Sequence, residues 1–257
     1  MSTIATGIHH VEHVMGMAVS IDIRPPLPTD DALHDVVAWL HHVDATFSTY
    51  KDDSEISRFA RGELAITDLS TEAEDVLLRC VELTEITNGS FDAFVVPAPN
   101  GTKLDPSGYV KGWAIERAAH LLEAAGGSNF CINAGGDIAL RGTPEPEQPW
   151  RVGIRHPYEA HQQAMVVEVV GPVAIATSAT YERGAHIIDP RTGQPTTSLA
   201  SATVIGPDLG TADAYATAVF VLGPEGLDWI ERQDGYDAYI ITHDDTTSWS
   251  SGFPHAR

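Results

Sequence analysis

Apolar positions along this chain follow two spacings, alternation and a three-to-four step, and each predicts its own elements. From Val14 to Ile23 the pattern is that of a strand, ended by Pro25-Pro26. Leu33, Val36, Val37, Leu40, Val43 and Phe47 then recur at helical spacing, with Thr29 as the expected cap. A polar stretch runs from Tyr50 to Arg58. Thr71 and Glu74 form a capping-box pattern that opens a second helix, with Val76, Leu77, Cys80, Val81 and Thr84 as its apolar face and Asn88-Gly89 as its stop. A third helix is predicted over Lys111–Ala125, with Ile115, Ala118, Leu121, Leu122 and Ala125 on one side and Gly126-Gly127 closing it. Strands are expected at Asn129–Asn133, Arg151–Ile154, Met165–Val170, Val173–Thr177 and Ala202–Gly206. Thr211 is the expected cap of a helix through Leu222, and a short helix (Gly226–Gln233) and a hairpin (Tyr236–Thr242 with Thr247–Ser250) complete the chain. Helices and antiparallel-looking strands alternate without a βαβ rhythm. The fold class is therefore α+β, in one domain over 1–257 or two interleaved lobes of it.

Charge narrows the list of partners. The chain carries 36 acidic against 15 basic residues, a formal net charge of -21. Such a field repels phosphate backbones and anionic lipid, so no nucleic acid or membrane surface is expected as the main partner. A small anionic ligand remains open to it, because a bound divalent cation reverses the local sign. No apolar run approaches the roughly 20 residues of a membrane helix, and Met1 to His13 lack the basic-then-apolar order of a signal peptide. A soluble, cytoplasmic protein without membrane insertion is expected. Cys80 lies in a helical pattern and Cys131 in a strand-like run, and both are expected as buried free thiols.

Three segments carry candidate chemistry. Asp213 and Thr217 are four apart on the helix expected from Thr211, so their oxygens project from one face. A carboxylate and a hydroxyl at that spacing are hard ligands suited to magnesium. The competing reading is an acid near the helix dipole and a threonine bonding back to its own helix. The segment His186 to Gly193 joins a histidine, an acid and an arginine around a proline turn. It reads either as a phosphate-handling loop or as a strand entering a turn with a local Asp189-Arg191 ion pair. Asn133-Ala134-Gly135-Gly136-Asp137 places two glycines after a strand, where a backbone turns tightly or approaches a ligand. The histidines, including His9, His10, His13, His34, His41 and His42, lack the spacing of a metal site.

Taken in order, the strings of this chain resemble the FAD:protein FMN transferase family, also called the ApbE family. They are Met15-Gly16, Phe47 to Tyr50 with Asp53 to Phe59, Asn88 to Asp92, Lys111 to Ala114 with Arg117-Ala118, Asn133 to Asp137, Thr177-Ser178, His186 to Gly193, and Asp213 to Ala218. The resemblance implies a magnesium-dependent transferase that cleaves FAD and attaches FMN through a phosphodiester to a Thr or Ser of an acceptor flavoprotein (protein flavinylation), releasing AMP. It implies Asp213, Thr217 and the Gly108 carbonyl as metal ligands and His186 with Asp213 as catalytic groups. Met15, Tyr50, Ser90, Phe91, Asp92, Asp105, Lys111 and Ile187 match its FAD-contacting positions. This sequence has Met17 where the family usually has Thr and Ala179 where it usually has Gly. The spacer before Lys111 is short, leaving Pro97 to Pro106 to make the connection. An FAD pyrophosphatase releasing FMN and AMP, or a flavin-binding protein without catalysis, are the alternative functions for the same residues.

Overall fold

The computed structural model describes residues 7–98, 101–159, 161–179 and 188–254. His186 and Ile187 lie outside them. The strand expected from Val14 is a hairpin: β1 (Ile8–Val14) pairs antiparallel with β2 (Met17–Arg24). Met15 and Gly16 make the turn with φ of 54° and 74°, the positive pair that suits a two-residue hairpin. β1 is an edge strand, and the histidines interleaved along it conceal its alternation.

Helix α1 (Ala32–Phe47) buries Val36, Leu40, Val43 and Phe47 as its spacing requires. Thr29 does not cap it; its amide bonds the Ala125 carbonyl and its carbonyl takes the Ala32 amide. The polar stretch beyond α1 contains a short helix, α2 (Glu55–Ala60), capped by Ser54. Helix α3 (Thr71–Ile86) starts on Ser70, whose hydroxyl accepts the Ala73 amide, one residue before the expected cap. Leu83 takes a place on its buried face, whereas Val81 is exposed. Asn88 and Gly89, at φ of 51° and 77°, turn the chain out of it.

The short spacer forms a ribbon of its own, β3 (Val96–Ala98) against β4 (Gly101–Lys103). Helix α4 (Ser107–Ala124) then begins four residues ahead of Lys111, which places that lysine in the second turn. The remaining elements are β5 (Asn129–Ala134), β6 (Asp137–Arg141), β7 (Trp150–Arg155), β8 (Gln163–Val169), β9 (Val173–Ala179), β10 (Ile188–Asp189), β11 (Gln194–Pro195) and β12 (Leu199–Gly206). They are followed by α5 (Leu209–Leu222), α6 (Gly226–Ile230), β13 (Asp237–Thr242) and β14 (Thr247–Trp249). The Asp208 carboxylate, not Thr211, caps α5, accepting the Thr211 amide at 2.7 Å.

Eight strands form one antiparallel sheet in the order β1-β2-β5-β6-β9-β12-β13-β14. Strand pleating splits its side chains between two cores. Val19, Ile21, Ile23, Phe130, Ile132, Ala202 and Val204 pack with α1, α4 and α5. Ile138, Leu140, Ile175, Tyr239 and Ile241 face the other way, under Trp150, Ile154 and Val167 of the β7–β8 ribbon and under Phe253. Mixed helices around an antiparallel sheet are the α+β class expected. Helix α5 is apolar on nearly every side and accordingly buried, so it carries Asp213 into the interior.

Candidate functional site

The site forms where α4 crosses α5. Each helix contributes a glycine at the crossing: a Cβ on Gly112 would lie 2.3 Å from the Leu209 carbonyl oxygen, and one on Gly210 would lie 2.8 Å from the Tyr109 ring. No other residue type permits backbones this close. The approach brings Asp213 Oδ2 to 3.3 Å from the Gly112 amide. In a regular helix that amide serves the Gly108 carbonyl, so Asp213 shares a donor otherwise given to Gly108. One turn further, a Cβ on Gly108 would stand 3.8 Å from Thr217 Oγ1 and 3.3 Å from the Phe91 ring. Thr217 Oγ1 also meets Ser178 Oγ at 3.2 Å. The predicted set Gly108, Asp213 and Thr217 is thus gathered by the fold.

Asp137, which the sequence reading did not select as a site residue, stands beside them. It is fully buried at the start of β6, with its Oδ2 2.6 Å from Lys111 Nζ and its Oδ1 accepting the Thr177 amide at 3.1 Å. Lys111 Nζ is also 3.9 Å from Asp213 Oδ1. One ammonium therefore faces two buried carboxylates. Burial, and then the Asp137 charge, hold the Asp213 carboxyl well above the ordinary carboxylate range, against the opposing pull of Lys111 and the Gly112 amide. A second cation would relieve that imbalance. The available donors are carboxylates, hydroxyls and a backbone carbonyl, the oxygen set of a hard divalent ion. Among the described residues no three His, Cys, Asp or Glu side chains gather as a metal site. His10 and His41 each bond an oxygen of Glu12, and His42 bonds Glu72.

The other predicted residues are more dispersed. Phe91 is buried against Gly108, and Ser90 is buried with its hydroxyl lacking a partner among the described residues. Asp92 accepts the Phe94 amide, while Asp105 pairs with Lys103 and accepts the Ser107 amide. Met15 packs onto the core from the β1–β2 turn. Tyr50 is 89% exposed in the turn after α1. Gly135-Gly136 is a hairpin turn from β5 into β6, beside a cavity of about 250 Å³ lined by Asn133, Thr177 and the Val152–Arg155 segment. Asp189 and Arg191 form the local ion pair, with Nη2 to Oδ2 at 2.8 Å, in the turn between β10 and β11. Cys80 is buried and Cys131 only partly so, and both are free.

The sequence model of the ApbE family matches residues 15–100 and 96–240. This chain belongs to the ApbE family. Among its ApbE relatives, the FAD:protein FMN transferase of Haemophilus influenzae is 28% identical, covering 88% of this chain and 83% of its own. That of Vibrio cholerae is 29% identical, with 72% of each chain covered. The solved flavin transferase ApbE from Vibrio cholerae superposes with a TM-score of 0.81 at 26% identity, over 96% of this chain and 98% of that one. The ApbE protein from Thermotoga maritima gives the same TM-score at 20% identity, over 96% and 97%, a likeness of fold. Among the described residues, no helix is long and apolar enough to cross a membrane.

Proposed function

We propose that this chain is an FAD:protein FMN transferase, moving the FMN half of FAD onto a Thr or Ser hydroxyl of an acceptor protein and releasing AMP. The observation that carries the reading is the meeting of Asp213, Thr217 and Gly108 at the α4–α5 crossing, in a chain whose ApbE relatives bear that activity in their names. Asp213, Thr217 and the Gly108 carbonyl would hold Mg²⁺, which when bound neutralises charge on the pyrophosphate oxygens. The acidic surface makes that neutralisation a condition of FAD binding.

The chain's own residues supply positioning. Asp137 holds Lys111 in place, and Lys111 is the cation offered to a phosphate oxygen. Met15, Tyr50, Ser90, Phe91, Asp92, Asp105 and Ile187 are the proposed flavin and adenine contacts. In the transfer, the acceptor hydroxyl oxygen bonds to the FMN-side phosphorus while the bond from that phosphorus to the AMP phosphate oxygen breaks. The hydroxyl proton passes to His186, the proposed base. No electrons change hands, so no reductant is needed. Holding the acceptor beside the phosphorus gives it an effective concentration of about 10⁵ M or more at best, which favours it over water.

The test is to incubate the protein with FAD and Mg²⁺, with and without candidate acceptor flavoproteins, measuring AMP and the acceptor's mass. Covalent FMN on an acceptor, formed with Mg²⁺ and not formed when EDTA is present from the start, is the expected result. FMN and AMP appearing without acceptor, and no flavin on any candidate, would replace transfer with hydrolysis. If FAD fluorescence is unchanged by the protein with and without Mg²⁺, the flavin reading fails altogether.

A further inference from the structure

Helices α4 and α5 meet as an antiparallel ladder with rungs four residues apart on each. Gly108 faces Thr217, Gly112 faces Asp213, and Glu116 faces Leu209. The first two rungs are the proposed cation site. In the third, Glu116 Oε2 accepts the Leu209 amide at 3.1 Å. Leu209 is the first residue of α5, where the amides have no partner inside the helix. Glu116 and Arg141 are only 4% and 5% exposed, and the Arg141 guanidinium bonds the other Glu116 oxygen, with His120 Nε2 3.5 Å from that oxygen on the solvent side. Arg141 Nε also donates to Glu123 at 2.9 Å, and Trp150 holds the Arg141 carbonyl.

This connection links three elements of the centre, β6, α4 and α5. Strand β6 contacts α4 at both of its ends, Asp137 to Lys111 and Arg141 to Glu116, and Glu116 passes the connection on to α5. At its closest point the crossing is made of glycines: Gly112 and Gly210 let the backbones touch, with the Tyr109 ring against Gly210, and contribute no side chains of their own to the interlocking that usually stops one helix sliding along another. A slip of one residue is about 1.5 Å along a helix axis, whereas a bound ion tolerates changes of about 0.2 Å in its ligand distances. We propose that Glu116 is a positioning residue, which through the Leu209 amide sets the register that brings Gly108 and Thr217 together around Asp213. This rests on the cation site proposed above.

The experiment measures Mn²⁺ binding by paramagnetic resonance and Mg²⁺ binding by calorimetry, both without FAD, for three variants. Glu116→Leu removes the acceptor. Leu209→Pro removes the donor at a position where proline suits a helix start. Glu116→Gln keeps an oxygen for the Leu209 amide while losing the charge. The Leu and Pro variants are expected to weaken cation binding about tenfold or more, as loss of an outer partner does at metal sites. The Gln variant is expected to stay within about threefold of wild type. Hydrogen exchange over residues 207–214 should quicken in the Leu variant and not in the Gln variant. A folded Leu or Pro variant with wild-type affinity overturns the proposal, as does a tenfold loss in the Gln variant, which would assign the effect to the Arg141 pair. If wild-type protein binds neither ion, the cation site fails and this proposal with it. Wild-type binding with unaffected variants refutes the positioning role alone.

Discussion

Replacing Asp213 by asparagine should make the protein more stable while destroying its centre. In the absence of a divalent ion, Asp213 is 4% exposed and shares one ammonium with Asp137. Burying a carboxylate costs several kcal/mol even after relaxation. The return from Lys111 at 3.9 Å is about 4 kcal/mol at an effective dielectric constant near 20, and repulsion from Asp137 subtracts from it. The asparagine side chain would keep an oxygen for the Gly112 amide and carry no charge, and Lys111 would retain Asp137 at 2.6 Å. A net gain of about 1–3 kcal/mol is expected in EDTA, or about 2–10 °C in Tm for a chain of this size. The sign with pH follows from the raised carboxyl. A raised acid is most favourable to the fold when protonated, so wild type loses stability as pH climbs above the ordinary carboxylate range, and Asp213→Asn does not. The gap should close in acid and open towards neutrality. On the proposed cation site, adding Mg²⁺ to about 100 times its Kd should stabilise wild type by about 2.7 kcal/mol and leave the variant unmoved. The assay is thermal unfolding across pH, in EDTA and in Mg²⁺. A variant that melts lower than wild type in EDTA at pH 7 would show that the carboxylate is already compensated, and would refute the charge argument.

Gly112→Ala places a methyl against the Leu209 backbone. It should cost about 1–3 kcal/mol in denaturant unfolding and abolish Mg²⁺-dependent AMP release. Tyr50→Ala, at a site already in solvent, should change unfolding by less than about 0.5 kcal/mol and raise the FAD concentration for half-saturation about 3–10-fold. An unchanged FAD titration would remove Tyr50 from the proposed flavin contacts. Burial pushes the Cys80 and Cys131 thiols up to about 12. Native protein at pH 8 should therefore resist a disulfide reagent that titrates two thiols after unfolding.

The sequence alone determined the elements whose burial is one-sided. Leu40 and Val43 of α1, or Val76 and Cys80 of α3, recur at helical spacing because one face of each helix meets the core. That Asp213 and Thr217 share one face was legible for a similar reason, since a spacing of four on one helix is a local fact, whereas their assignment as cation ligands came from the family resemblance. Strand β6 was not legible. All five of its residues are buried, and its ends are Asp137 and Arg141, whose charges are answered by Lys111 and Glu116 from a distant helix. The same holds for capping: Thr29 and Thr211 look like caps, but the Thr29 amide bonds the Ala125 carbonyl ahead of α1, which starts after Asp31, and the carboxylate of Asp208 caps α5. What tertiary structure decided was which carboxylates share a lysine and which glycines touch. These pairings span 26 residues from Lys111 to Asp137 and about a hundred from Gly112 to Asp213. Chain-local periodicity carries no information at that range, because each such contact depends on how a helix lies across a sheet and not on the residues either side of it.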